Sequence, residues 1–102
     1  MSLFSIFRRP SLDDGVAQAE REGGVILDVR TREEFAEGHL PNAVNVPLDV
    51  LERAKLPQGK LFVYCYSGAR SSRAVGYLKS IGKNAVNIGG IAGYGGRVER
   101  GV

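Results

Sequence analysis

The only cysteine of this 102-residue chain, Cys65, stands between an apolar run and a short polar segment. The run "LFVYC" ends at Cys65, and the segment "YSGARSS" follows it. If a helix begins soon afterwards, backbone N–H groups can converge on the sulfur and stabilise a thiolate, which is a nucleophile at neutral pH. A lone cysteine is also commonly inert packing. The local sequence leaves both interpretations open.

Two residues of the polar segment favour the reactive interpretation. Gly68 supplies the backbone freedom that a loop needs to wrap its N–H groups around one atom. Arg70 adds a positive charge, which either faces an anionic substrate or pairs with a carboxylate such as Glu33 or Glu34. We expect Tyr64, in the apolar run, to lie in the core. The candidate anion-binding loop consists of Tyr66, Ser67, Gly68, Ala69, Arg70 and Ser71, with Tyr66 and Ser67 lining its mouth.

A second pair of charged residues flanks Val29 at the end of another apolar run, "VILDV". Alternation along a strand puts the side chains of Asp28 and Arg30 on the same side. They either shape the substrate mouth or hold neighbouring loops by ion pairing, and we favour the second because buried charges are usually kept by partners.

The elements that must position these residues are helices alternating with strands. Ser11 and Thr31 have the spacing of helix N-caps, and short apolar runs without polar alternation are typical of buried parallel strands. The pattern predicts helices over residues 11–22, 32–37, 49–54 and 71–81, and strands over residues 25–29, 43–46, 61–65 and 85–88. This predicts an α/β fold with a small parallel sheet of four to five strands flanked by helices. Ligands bind such sheets at the carboxyl ends of the strands, where Cys65 would lie.

Three segments, "ILDVRTREEFAEGHLPNAVNVP", "VYCYSGARSSRAVGYLKSIG" and "VNIGG", resemble a single-domain rhodanese, a sulfurtransferase, over roughly residues 11–90. The resemblance implies that Cys65 attacks a sulfane sulfur donor such as thiosulfate and becomes a persulfide. It then passes the outer sulfur to a thiol or cyanide acceptor, and no cofactor is needed. The family also places His39 in a structural turn. One histidine and one cysteine do not supply a metal site, so we expect no metal.

Two other functions use the same fold. Dual-specificity phosphatases and arsenate reductases are relatives that carry phosphoryl or arsenyl chemistry on the same thiolate, and some family members are non-enzymatic interaction modules. The loop from Cys65 to Arg70 has six residues, the size suited to sulfur, whereas the phosphatase relatives carry one more. They also usually have a histidine before the cysteine, where this chain has Tyr64. The retained cysteine argues against a pure interaction module.

Composition bounds the remaining possibilities. With 43% hydrophobic and 25% charged residues, the chain is typical of soluble globular proteins, and we expect one domain over residues 11–102. The net charge of +3 mildly favours anionic partners, but the basic residues are spread out, so we do not expect nucleic acid binding. A single cysteine forms no internal disulfide, and we expect a cytoplasmic monomer without a signal peptide or membrane span. Its expected partners are a small-molecule sulfur donor and a thiol or protein acceptor.

Both ends of the chain depart from the family pattern. The family often carries a tryptophan-containing helix after the last strand, and this chain has "IAGYGGRVERGV" instead. Glycines weaken helices, so we predict a mobile or irregular C-terminus whose packing partly controls access to the loop, with Tyr94 filling part of the space. Residues 1–10, which contain "LFSIF", are predicted to form an edge strand or an apolar arm for docking a partner.

Overall fold

A parallel β-sheet forms the centre of the protein. The computed structural model describes residues 11–102, so the predicted arm or edge strand at 1–10 lies outside the described part of the chain. The elements follow in the order α1 (Leu12–Glu22), β1 (Val25–Asp28), α2 (Arg32–Glu37), β2 (Val44–Asn45), a 3-10 helix (Leu48–Arg53), β3 (Leu61–Cys65), α3 (Ala69–Ser80) and β4 (Ala85–Gly90).

Within residues 11–102 the sheet has four strands in the order β2-β1-β3-β4, and every neighbouring pair is parallel. The predicted α/β fold is therefore confirmed. The carboxyl ends of parallel strands meet at one edge, where open α/β sheets bind their ligands. Cys65 is the last residue of the central strand β3, so it lies at that edge.

The hydrophobic core consists of one cluster on each face of the sheet. Side chains alternate along β3, so that Val63 and Cys65 face one cluster while Phe62 and Tyr64 face the other. The first cluster also contains buried residues of α3 and the 3-10 helix, namely Leu51, Ala74, Val75 and Leu78. The second contains Leu12 and Ala19 of α1. Layers on both faces explain why β3 is apolar throughout.

Both predicted N-caps are present. Ser11 and Thr31 each accept a hydrogen bond at the side chain from the backbone N–H three residues later. The carboxylates of Asp14 and Glu34 in turn accept one from the backbone N–H of Ser11 and Thr31, which completes a capping box at each helix. Gly23 ends α1 in the left-handed conformation, with φ 66°. These local interactions fix where α1 and α2 begin, which is why the predicted starts agree with the structure.

Several predicted boundaries were wrong by one or two residues. α3 begins at Ala69 instead of residue 71, because Gly68 caps it and Ser72 N already donates to Gly68 O at 3.1 Å. β4 runs on to Gly90 through a bulge that shifts its register against Tyr64. The helix predicted over residues 49–54 is a 3-10 helix over Leu48–Arg53.

The C-terminal segment is irregular, as predicted, but it is tethered. Glu99 and His39 exchange two backbone hydrogen bonds of 2.8 Å, and Gly101 N donates to Ala36 O at 2.9 Å. Tyr94 packs against the cluster that contains Tyr64 and so fills part of the predicted space. Across residues 11–102, no helix is both long and apolar enough to span a membrane.

Candidate active site

The sulfur of Cys65 lies at the centre of its loop and accepts hydrogen bonds from it. Gly68 N is 3.0 Å from Sγ, Ser71 N is 3.3 Å away and Ser71 Oγ is 3.4 Å away. Such a set of donors around one atom stabilises negative charge on it. The convergence of backbone N–H groups that the sequence suggested is therefore present.

Two glycines make this arrangement possible. Gly68 adopts φ 99°, a left-handed conformation that side chains disfavour, and this turns its N–H toward the sulfur. Gly90, at the end of β4, packs directly against the backbone of Tyr66 and Ser67, where a Cβ atom would collide with both. Ile91 N and Ala92 N then donate to Cys65 O and Tyr66 O, each at 2.9 Å. The end of β4 thus holds the backbone of the cysteine loop in place through close packing and two hydrogen bonds.

Burial and hydrogen bonding act on the thiol in opposite directions. Burial raises the pKa of Cys65, whereas hydrogen bonds from the Ser71 side chain and from the backbone N–H groups of Ser71, Gly68 and Arg70 lower it. The hydrogen bonds outweigh burial, and the net pKa lies below the ordinary value. Cys65 itself is fully buried.

The Arg70 side chain pairs with Glu34 of α2. Its two terminal nitrogens donate to the two carboxylate oxygens of Glu34 at 2.7 and 2.9 Å. The hydrogen bonds from Arg70 are the main cause that lowers the pKa of Glu34 to about 2. Of the two directions that the sequence left open for Arg70, the structure shows the carboxylate, and the partner is Glu34 rather than Glu33.

Asp28 and Arg30 form a buried pair beneath the loop edge. The Arg30 guanidinium donates to both oxygens of Asp28 at 2.7 to 3.1 Å and to Gly38 O at 2.7 Å. Arg30 also lies over the ring of Tyr64, 5.6 Å from its centre. Both charged residues are almost completely buried. Their contacts hold β1 to the turn at Gly38, which agrees with the structural interpretation.

The remaining loop residues form a rim. Tyr66, Ser67 and Ala69 are exposed, while Tyr64 is fully buried in the core as predicted. Beside the rim lies a groove of about 590 Å³ whose lining includes Thr31, Leu48, Glu52, Arg70 and Arg73. A larger groove of about 750 Å³ between α1 and β2 contains none of the loop residues.

His39 has a structural environment. Its Nδ1 lies 2.7 Å from Phe35 O, and since a carbonyl only accepts, Nδ1 carries the hydrogen. The imidazole stacks on the Phe35 ring with 3.6 Å between ring centres. This is the hydrogen-bonding turn residue that was expected. Within residues 11–102, no three His, Cys, Asp or Glu side chains are grouped so that they could hold a metal ion.

Sequence reasoning missed two residues that act on the loop. Asn87 donates from Nδ2 to Gly68 O at 3.1 Å and accepts at Oδ1 from Ser71 Oγ at 2.8 Å. Gly90 supports the backbone of Tyr66. Both lie in the segment "VNIGG", which carried the family resemblance but gave no sign that it contacts the cysteine loop. Only the pairing of β4 with β3 brings them there.

Fold and loop together define a class of small α/β proteins that hold a single cysteine in a thiolate-stabilising loop at the end of the central strand. The model of the family described as Rhodanese-like domain matches residues 11–96, and the chain belongs to that family. A Rhodanese-like domain protein from Staphylococcus aureus has the same fold, with TM-score 0.74 and 31% identity over 90% of this chain and 96% of that one.

Curated relatives carry sulfurtransferase names. The adenylyltransferase and sulfurtransferase uba4 of Ogataea parapolymorpha is 35% identical over 80 residues, which are 72% of this chain and 21% of that protein. A sulfurtransferase of Allochromatium vinosum is 35% identical over 71 residues, which are 67% of this chain and 66% of that protein. The chain thus spans about a fifth of the first relative and just under two thirds of the second.

Proposed function

We propose that this protein is a rhodanese-type sulfurtransferase that carries sulfane sulfur as a persulfide on Cys65. The observation that carries the proposal is the set of hydrogen bonds to Sγ from Gly68 N, Ser71 N and Ser71 Oγ. These donors stabilise an anionic sulfur without a general base. The relatives named sulfurtransferases support the same chemistry.

The proposed reaction has two displacement steps. With thiosulfate as donor, the Cys65 thiolate attacks the outer sulfur, a new S–S bond forms, and the bond to the sulfonate sulfur breaks with its electron pair to release sulfite. In the second step a thiolate or cyanide attacks the outer sulfur of the persulfide. The bond to Sγ breaks, and Sγ leaves as the thiolate that the loop stabilises. No net oxidation or reduction of the protein remains after a full cycle.

The acceptor has to come from outside the chain. Cys65 is the only cysteine, so no second thiol is present to resolve the persulfide internally. A small thiol, cyanide or a partner protein with a nucleophilic sulfur meets this requirement. A reducing compartment such as the cytoplasm suits the cycle, because the thiol must be free at its start.

The position of Arg70 weighs against phosphoryl or arsenyl transfer on the same thiolate. Its guanidinium donates to both oxygens of Glu34, so its positive charge is paired with a carboxylate of the protein itself. The loop also keeps four residues between Cys65 and Arg70, one fewer than the phosphatase signature. Both features favour sulfur as the transferred group.

Turnover with thiosulfate and cyanide tests the proposal. We expect the reduced protein to produce thiocyanate and sulfite in equal amounts, and Cys65→Ser to produce neither, because it lacks the sulfur that carries the persulfide. Hydrolysis of an aryl phosphate is measured in parallel. Phosphate release by the wild type, without thiocyanate formation, contradicts the proposal and supports the phosphatase alternative.

A further inference from the structure

The Ser71 hydroxyl has a single hydrogen and faces more than one acceptor. Asn87 Oδ1 is the nearest at 2.8 Å, followed by Gly68 O at 3.1 Å and by Cys65 Sγ and Gly89 O, each at 3.4 Å. A hydroxyl donates to one acceptor at a time. A bond from Ser71 to the sulfur is therefore made at the expense of the shorter bond to Asn87.

The amide of Asn87 is held in one orientation. Its Nδ2 donates to Gly68 O at 3.1 Å, and its Oδ1 accepts from Gly89 N at 3.0 Å. Flipping the amide would place a donor against Gly89 N and an acceptor against Gly68 O, so the oxygen stays toward Ser71. The β4 bulge, where Gly89 has φ 108°, sets this geometry.

We propose that Asn87 is a positioning residue that competes with Cys65 for the Ser71 hydroxyl hydrogen. When the sulfur is neutral, the hydrogen lies on the short bond to Asn87. When the sulfur is a thiolate, the charge attracts the hydrogen to Sγ, since hydrogen bonds to charged acceptors are stronger. Asn87 Oδ1 then faces the Ser71 oxygen with no hydrogen between them and keeps its bond from Gly89 N, while Nδ2 still donates to Gly68 O.

This inference rests on the proposed function for its role in the reaction cycle. In the persulfide the inner sulfur is neutral, and Ser71 donates to Asn87. As an acceptor takes the outer sulfur, the inner sulfur gains charge and the Ser71 hydrogen turns to it. Asn87 therefore stabilises the neutral persulfide relative to the thiolate and keeps the thiolate more basic and more nucleophilic than three full hydrogen bonds would leave it.

The charged groups near the sulfur are separate from this competition. Arg70 of the loop is paired with Glu34 from α2, and the Asp28–Arg30 pair lies at the end of the neighbouring strand β1. Substituting Asn87 or Ser71 removes none of these four side chains. A change in the Cys65 titration on substitution of Asn87 therefore reports on the hydroxyl or on the loop backbone.

A titration of the thiolate by its ultraviolet absorbance tests the proposal, with Cys65→Ser as the blank. Asn87→Ala removes the nearest acceptor of the Ser71 hydrogen, and a thiolate attracts that hydrogen more strongly than the neutral carbonyls of Gly68 and Gly89 do. We therefore expect the pKa of Cys65 to fall by up to about one unit. Ser71→Ala is expected to raise that pKa, and Asn87→Ala added to Ser71→Ala is expected to change it no further. Asn87 is exposed, so its truncation opens no buried cavity. Asn87→Leu, which keeps the bulk without the oxygen, serves as a second variant.

If Asn87 has only a structural role, the variants give a different pattern of Cys65 pKa values. If it only holds the loop, its loss scatters the backbone donors and raises the pKa of Cys65 in both backgrounds, and this result overturns the proposal. An unchanged pKa in Asn87→Ala and Asn87→Leu overturns it as well. For the reaction cycle, thiosulfate loading well above the pKa should slow by up to about threefold in Asn87→Ala, since nucleophilicity falls with pKa. If the wild type takes up no sulfur, the proposed function fails, while the titration still decides the role of Asn87.

Discussion

At the scale of single residues, the chemistry depends on a balance around Cys65. Burial disfavours its charge, and hydrogen bonds from Gly68 and Ser71 favour it by more. The backbone donors act through loop conformation and not through side-chain identity, but the largest single cause that lowers the pKa of Cys65 is the Ser71 hydroxyl. This hydroxyl is shared between the sulfur and Asn87.

The pH dependence of alkylation tests this balance. A thiol whose folded pKa is lowered is ionised at a lower pH than in the unfolded chain, so we expect the alkylation rate of the folded protein to reach its midpoint below about 8.5, the ordinary cysteine value. The same protein in urea provides the reference midpoint. A folded midpoint equal to or above the unfolded one would mean that burial dominates.

Residue types alone left Cys65 open between a reactive and an inert thiol and left the direction of Arg70 open, and it was the family resemblance that predicted a reactive loop. Gly68 and Cys65 are informative because positive φ and a lone thiol before a helix are local properties. The direction of Arg70 depends on the distance to α2, which is set by packing of elements far apart in the chain. Asn87 was missed for the same reason, because it reaches Gly68 only through the pairing of β4 with β3.

At the scale of elements, α2 has two roles that share Glu34. Its carboxylate completes the capping box with Thr31 and also binds Arg70 at the start of α3. The cap fixes where α2 begins, and the ion pair ties that same turn to the cysteine loop. The position of the cysteine loop is therefore linked to the capping box of α2, which the local sequence alone predicts.

The Glu34–Arg70 pair predicts a pH-dependent contribution to stability. The pKa of Glu34 is lowered to about 2 in the folded protein, against about 4.3 for an unfolded glutamate. The stabilisation is thus complete above about pH 5 and is lost as pH falls toward 2. We expect Glu34→Gln to lower the free energy of unfolding at neutral pH by less than about 1 kcal/mol, because the pair is about one-third exposed.

Urea unfolding at pH 7 and pH 3 measures this contribution. The difference between wild type and Glu34→Gln should shrink at the lower pH. Glu33→Gln is the matched control, since Glu33 is the exposed neighbour on α2 and its substitution leaves the Glu34–Arg70 pair in place. An equal loss of unfolding free energy in Glu34→Gln at both pH values would contradict the ionic origin of the effect. It would indicate that Glu34 stabilises the protein only through the capping box.

At the scale of the whole molecule, one sheet with layers on both faces brings the functional parts together. β3 carries Cys65, β4 carries Asn87 and Gly90, and β1 ends in the Asp28–Arg30 pair. The alternation of strands and helices predicted this architecture, because buried parallel strands need helices on both faces. The tethering of the C-terminus at His39 was not predictable, since glycine-rich segments carry no periodicity.

Intact-mass spectrometry after incubation of the reduced protein with thiosulfate tests the claim that Cys65 carries a sulfur atom. We predict that the wild type gains the mass of one sulfur atom, that Cys65→Ser gains none, and that cyanide removes the added mass. A wild type whose mass does not change, or a gain of the same size in Cys65→Ser, would contradict the claim.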